Sequence, residues 1–148
     1  MPSTDTQTIL VGRIGIRFVV DAEQSGGALT VFECRVPAGA KVPVPHSHDA
    51  FEETIYGLDG VSTWTIDGDR VEIGPGDGVC IPRGIVHGFD NQGDADATFL
   101  AIATPGVFGP AYFREIGAVL AGDGPPDPAA IAGVMRRHGL TPAPSPGA

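Results

Sequence analysis

The chain has 148 residues, 42% of them hydrophobic and 18% charged, with 18 acids against 9 bases and a formal net charge of −9. That length predicts one domain with a single core. The acid excess argues against a nucleic-acid partner, whose phosphates call for clustered Lys and Arg, and against an anionic membrane surface.

The 22 Gly and 14 Pro approach a level at which disorder becomes a concern. Here they punctuate short β-branched and aromatic runs, which predicts an all-β domain with many turns. Met1 to Thr8 is polar, and the apolar run after it is broken by Arg13 and Arg17, so no signal peptide is expected. No stretch reaches the ~18 apolar residues of a membrane-spanning helix. Cys34 and Cys80 are too few for a disulfide framework. A cytoplasmic, reduced protein is the expectation.

In chain order, residues 14–20 alternate as a half-buried strand, with Ile14, Ile16, Phe18 and Val20 on one face. After a polar turn at 21–27, a second strand at about 28–36 puts Phe32, Cys34 and Val36 on one face and Glu33 and Arg35 on the other. Pro37 to Pro45 reads as a stiff extended loop. Strand-like runs recur at about 51–58, 61–66, 69–73, 78–82, 86–90 and 96–104. Asp67-Gly68 predicts a tight hairpin between two of them, and Gly74-Pro75-Gly76-Asp77 another turn. Short strands at these intervals suggest a barrel or double-sheet jelly roll.

From Pro110 the period changes. Ala111 to Leu120 reads as a helix, and a second comes after it with Asp127 as N-cap, Pro128 at the first position, and Ile131, Val134, Met135 and His138 on one stripe before Gly139. Three segments are therefore expected: a barrel at 1–109, a helical extension packed on it at 110–140, and a disordered tail at 141–148.

Two compact motifs carry three of the four histidines. The first runs from Gly39 through His46-Ser47-His48 and Glu53 to Gly60, and the second from Gly76 through Pro82, Gly84 and His87 to Asn91. His46 and His48 leave the same face of an extended strand, Glu53 can reach that face from the next strand, and turns can present His87 from a third. Three neutral imidazoles and a carboxylate converging on a point suit a divalent transition metal with positions left open for water or substrate.

These motifs resemble those of the cupin superfamily. The second matches the family pattern at every fixed position; the first departs only in one extra residue between Gly39 and His46. The resemblance covers about residues 30–105 and is to the small single-domain, quercetinase-like members. It implies an all-β, double-stranded β-helix (jelly-roll) barrel, here with two short C-terminal α-helices after it. It also implies His46, His48, Glu53 and His87 as ligands to Fe, Mn, Ni, Cu or Zn, and a homodimer. Family spacing favours Glu53 over Glu52, which strand alternation turns to the other face.

Other residues divide between site and packing. His138, on an apolar helical stripe, reads as a packing or capping residue. Cys80 and Cys34 read as buried packing rather than thiolate ligands. Phe51, Trp64, Phe89, Phe99 and Phe108 are candidate pocket walls or plain core. Gly57 shares inward parity with Glu53 and leaves either a void beside the metal or a β-bulge and close backbone approach.

The resemblance implies a metal-dependent dioxygenase acting on a small organic substrate, aromatic or enediol-like, with Glu53 also serving as base on a substrate hydroxyl. The alternatives are a metal-dependent isomerase, lyase or decarboxylase of a small polar acid, with Arg17 or Arg83 as its anchor, and a non-catalytic ligand-binding barrel.

Overall fold

The computed structural model describes residues 7–143. It is a two-sheet jelly roll. In chain order the elements are β1 (Ile9–Val11), β2 (Ile14–Val20), β3 (Thr30–Val36), β4 (His46–His48), β5 (Glu52–Asp59), β6 (Ser62–Ile66), β7 (Asp69–Ile73), β8 (Gly78–Ile81), β9 (His87–Asp90), β10 (Ala97–Thr104), α1 (Pro110–Leu120), α2 (Pro128–Arg137) and β11 (Leu140–Pro142). One sheet runs β1-β2-β3-β10-β5-β8 and the other β11-β4-β9-β6-β7, with antiparallel pairing throughout.

Turn chemistry sets this register. Asp67 and Gly68 both have positive φ, 51° and 84°, the mirror-image turn that a two-residue hairpin between β6 and β7 requires. At 74–77, Asp77 accepts from the Gly74 amide with its carboxylate and donates its own amide to the Gly74 carbonyl. Inward side chains from both sheets, Phe51, Ile55, Trp64, Ile81 and Phe99 among them, form the core.

The two helices fall where periodicity predicts them, and Asp127 caps α2 by accepting from the Ala129 amide at 3.0 Å. α1 sends Tyr112, Phe113 and Ile116 into the barrel core, and α2 buries Ile131, Val134 and Met135. His138 ends α2, pairs with Glu115 of α1 and packs edge-on against Tyr112, so it ties the two helices together.

Two expectations need correction. The tail expected to be disordered from 141 instead opens with β11, whose Leu140, Thr141 and Pro142 pair with His48, Ser47 and His46; residues 144–148 lie outside the described residues. A three-residue strand has no periodicity of its own, and its partner supplies the reason for it. Cys80 is exposed rather than buried, because alternation along edge strand β8 turns Ile81 inward and Cys80 outward. Cys34 is buried as expected.

Gly57 opens no void. A Cβ there would stand 2.0 Å from the Gly74 carbonyl oxygen. The 74–77 turn is strapped against it, with the Gly57 amide donating to the Asp77 carbonyl and the Gly76 amide donating to the Gly57 carbonyl. A register shift beside it, from Thr98↔Asp59 to Phe99↔Gly57, marks a β-bulge.

Among the described residues no helix is long and apolar enough to cross a membrane.

Candidate metal centre

His46 and His48 stand two apart on β4 and enter the barrel from the same face, and His87 opens β9 directly opposite His46. Positive φ at Gly84, 79°, turns the chain between β8 and β9 and so sets where His87 begins. Asn91 fixes the far end of β9: its side-chain amide donates to the Val36 and Ala95 carbonyls at 2.9 and 2.7 Å.

One ligand-capable atom from each of the three histidines lies within 4.8 Å of the other two. Nδ1 of His46 donates to the Val44 carbonyl at 2.8 Å, and Nδ1 of His87 to the Ile85 carbonyl at 2.9 Å. Each bond fixes a tautomer with its proton on Nδ1, leaving the Nε2 lone pair free for a cation. His48 Nε2 is buried without a hydrogen-bond partner, a cost that a bound cation removes. Burial holds all three imidazoles neutral: it pulls His46 down to about 4 and His48 to about 2, each with help from neighbouring histidines, and lowers His87 against the pull of the Ile85 carbonyl. Neutral, oriented imidazoles are the form a metal needs, and the donor set fits a divalent ion.

Glu53, on β5 of the facing sheet, points inward and is 7% exposed. Its Oε2 lies 3.3 Å from His48 Nε2. Its oxygens fall outside the compact three-histidine cluster. Burial pushes its carboxyl up to about 8, so at neutral pH and without metal it is a protonated acid beside a neutral imidazole.

That buried acid makes stability depend on pH in a definite direction. A raised folded pKa contributes stability below the unfolded value of about 4.5, and that contribution is lost as pH rises toward 8. The lowered histidines act in the opposite sense, but only below about 6.5. Between pH 6.5 and 8, urea unfolding of metal-free protein should therefore show stability falling with pH, and Glu53→Gln should flatten that slope. An unchanged slope in the variant would refute the buried acid.

Glu52 points outward and forms an ion pair with Arg83, Nε to Oε1 2.6 Å. Arg17 pairs with Glu33 on the outer face. Neither arginine reaches the cluster, and the cavity beside it has no Arg or Lys in its lining. That cavity, about 60 Å³, has four polar residues in its wall besides Cys34: His46, His48, Glu53 and Tyr112. It holds a few waters or a small ligand, well under the ~300 Å³ at which drug-sized sites begin. Of the candidate aromatics, Phe89, Phe99 and Phe108 line it; Phe51 and Trp64 do not. Phe51 instead stacks on the His48 ring, centroids 4.2 Å apart, and braces that ligand.

Sequence reasoning did not single out Tyr112 or Phe113, which enter the same cavity from α1. The signal available was the aromatic sequence Phe108, Tyr112, Phe113 immediately after the last barrel strand.

Comparisons with known proteins agree with this geometry. A family model described as a cupin domain matches residues 32–103. A quercetin 2,3-dioxygenase of Bacillus subtilis (strain 168) is 30% identical over 118 residues, 79% of this chain and 34% of its own. The chain thus spans about a third of that relative's length. Among solved structures, the polyketide cyclase RemF of Streptomyces resistomycificus is 26% identical with a TM-score of 0.60, covering 76% of this chain and 87% of that one. A sugar phosphate isomerase of Silicibacter pomeroyi is 28% identical with a TM-score of 0.52, covering 60% and 59%.

Proposed function

We propose, for a chain that belongs to the cupin family through its domain at residues 32–103, that the buried histidine cluster serves a metal-dependent dioxygenase. Its substrate is a small organic molecule with neighbouring oxygens, enediol-like or aromatic. The observation that carries this reading is the His46, His48, His87 cluster, two of whose members join Glu53 in lining a cavity whose remaining wall is almost wholly aliphatic and aromatic. The distant quercetin 2,3-dioxygenase similarity supports the same direction.

His46, His48 and His87 would hold the ion, with Glu53 as a fourth ligand. When bound, the ion supplies a Lewis-acidic, redox-capable centre with open coordination positions. The rest is the work of the protein. The Val44 and Ile85 carbonyls keep two imidazoles in the ligating tautomer. The aromatic wall excludes bulk water. Glu53, 3.3 Å from His48, would be a carboxylate once it ligates the ion and would then take a proton from a substrate hydroxyl.

An isomerase, lyase or decarboxylase of a small acid is less well supported, because such a substrate needs a cation for its carboxylate and both candidates, Arg17 and Arg83, are paired outside with Glu33 and Glu52.

The test is metal analysis of purified protein, reconstitution with single first-row metals, and oxygen-electrode assays across enediols, small aromatic diols, flavonols and keto acids. The expected result is oxygen consumption with at least one diol or enediol, dependent on metal. Stoichiometric metal with no oxygen uptake under any substrate would replace this reading with the non-oxidative one.

A further inference from the structure

The cupin match ends at residue 103, yet one wall of the cavity is built by residues beyond it: Phe108 and, from α1, Tyr112, Phe113 and Ile116. The Phe108, Tyr112 and Phe113 rings pack with centroids 4.9–5.1 Å apart. Packing of this kind accounts fully for the two phenylalanines. It does not account for the hydroxyl of Tyr112.

Tyr112 is 5% exposed and no hydrogen bond joins its hydroxyl to another described residue; the oxygen is not among the fully buried unpartnered atoms, so it borders accessible space. Buried tyrosine hydroxyls ordinarily find a partner. Tyr112 lines the same cavity as His46, His48 and Glu53 and contributes the one hydroxyl in that lining. A phenol hydroxyl is a donor at neutral pH, and burial pushes its pKa further up. The neighbouring groups divide the other tasks: imidazole lone pairs for a cation, and a carboxyl for a proton. A hydroxyl donor in the same cavity lining has a place for a substrate oxygen.

We propose that Tyr112, contributed from beyond the cupin domain, is a substrate-contacting residue whose hydroxyl donates a hydrogen bond to an oxygen of a small diol or enediol held beside the histidine cluster. The assignment rests on the reading of this cavity as the substrate site. It also supplies a basis for selectivity. A ligand of the same shape that fills the cavity without that oxygen shuts the tyrosine donor off from water and gives it no partner, which is how a site built around one hydrogen bond rejects analogues that lack it.

The test measures binding, independent of turnover. Zinc-loaded protein is titrated with acetohydroxamate, a small enediolate mimic, by calorimetry, comparing the parent with Tyr112→Phe and Phe113→Leu, with metal content measured for each. Tyr112→Phe keeps the ring and is expected to weaken binding about tenfold, the scale of one hydrogen bond to a partly charged oxygen, at unchanged zinc content. Phe113→Leu loosens the same wall without removing a donor and is expected to weaken binding much less. Affinity of Tyr112→Phe within twofold of the parent overturns the assignment. So does an equal loss in both variants, which would make the effect one of wall packing, and so does a parent that does not bind the probe. Oxygen plays no part in the titration, so failure of the dioxygenase reading appears in the uptake assay and failure of Tyr112 appears here.

Discussion

His87→Ala is expected to purify with background metal, where the parent is expected to carry a stoichiometric ion. His87 is the one cluster member from the second motif and the one on β9, so its loss leaves only two histidines, both on a single three-residue strand. Removing a mere outer partner of a metal ligand costs about 10–100-fold in affinity, so removing the ligand costs more than about 100-fold. Elemental analysis after dialysis against a weak chelator reads this directly. His138→Ala is the matched control: that histidine pairs with Glu115 between the two helices, and its loss leaves occupancy intact. Full occupancy in His87→Ala would overturn the site assignment itself, and with it everything inferred from the cavity.

Gly57→Ala is the second large effect, and it acts on stability with no direct route to the metal. The added carbon meets the Gly74 carbonyl oxygen at 2.0 Å, with Gly74 C at 2.7 Å and Ile73 Cγ2 at 3.2 Å. The first two are backbone atoms of a turn held by two hydrogen bonds to Gly57 itself. Accommodation therefore requires the turn to lift and at least one of those bonds to break. The expected cost is about 3 kcal/mol, seen as a fall in Tm of roughly 10 °C for a chain of this size. Metal stoichiometry of the folded fraction stays at the parental level. An unchanged Tm would mean that the turn does not press on Gly57.

Gly57 also shows where sequence reading reaches its limit. Strand parity correctly turns that position inward, but parity cannot see a loop from 74–77 folding back over it, so void and close approach stay equal from sequence alone. The histidine cluster was legible for the opposite reason. His46 and His48 are related by a two-residue period, and the fixed glycines and prolines around them, such as Gly84 before β9, are the chemistry of the turns themselves. Arg17 and Arg83 read as possible anchors because sequence does not say which face a flanking charge takes. Their partners, Glu33 and Glu52, are 16 and 31 positions away. Tyr112 was out of reach because nothing in a helical stripe tells which barrel mouth it will close. Cys80 went wrong through composition: cysteine is usually buried, but an edge strand has an outside.

The strand that carries His46 and His48 touches β9 at one pairing, His46↔His87, and lies along β11 for its whole length. Asp49 and Pro45 extend that border, accepting from Thr141 and Ala143 or donating to Gly139. The histidine strand therefore comes early in the chain and the support for it late. On a ribosome, which delivers the N-terminal part first, His46, His48, Glu53 and His87 all emerge before residues 139–143 exist to brace the ligand strand. The full pairing of the histidine strand therefore waits on the synthesis of residues 139–143.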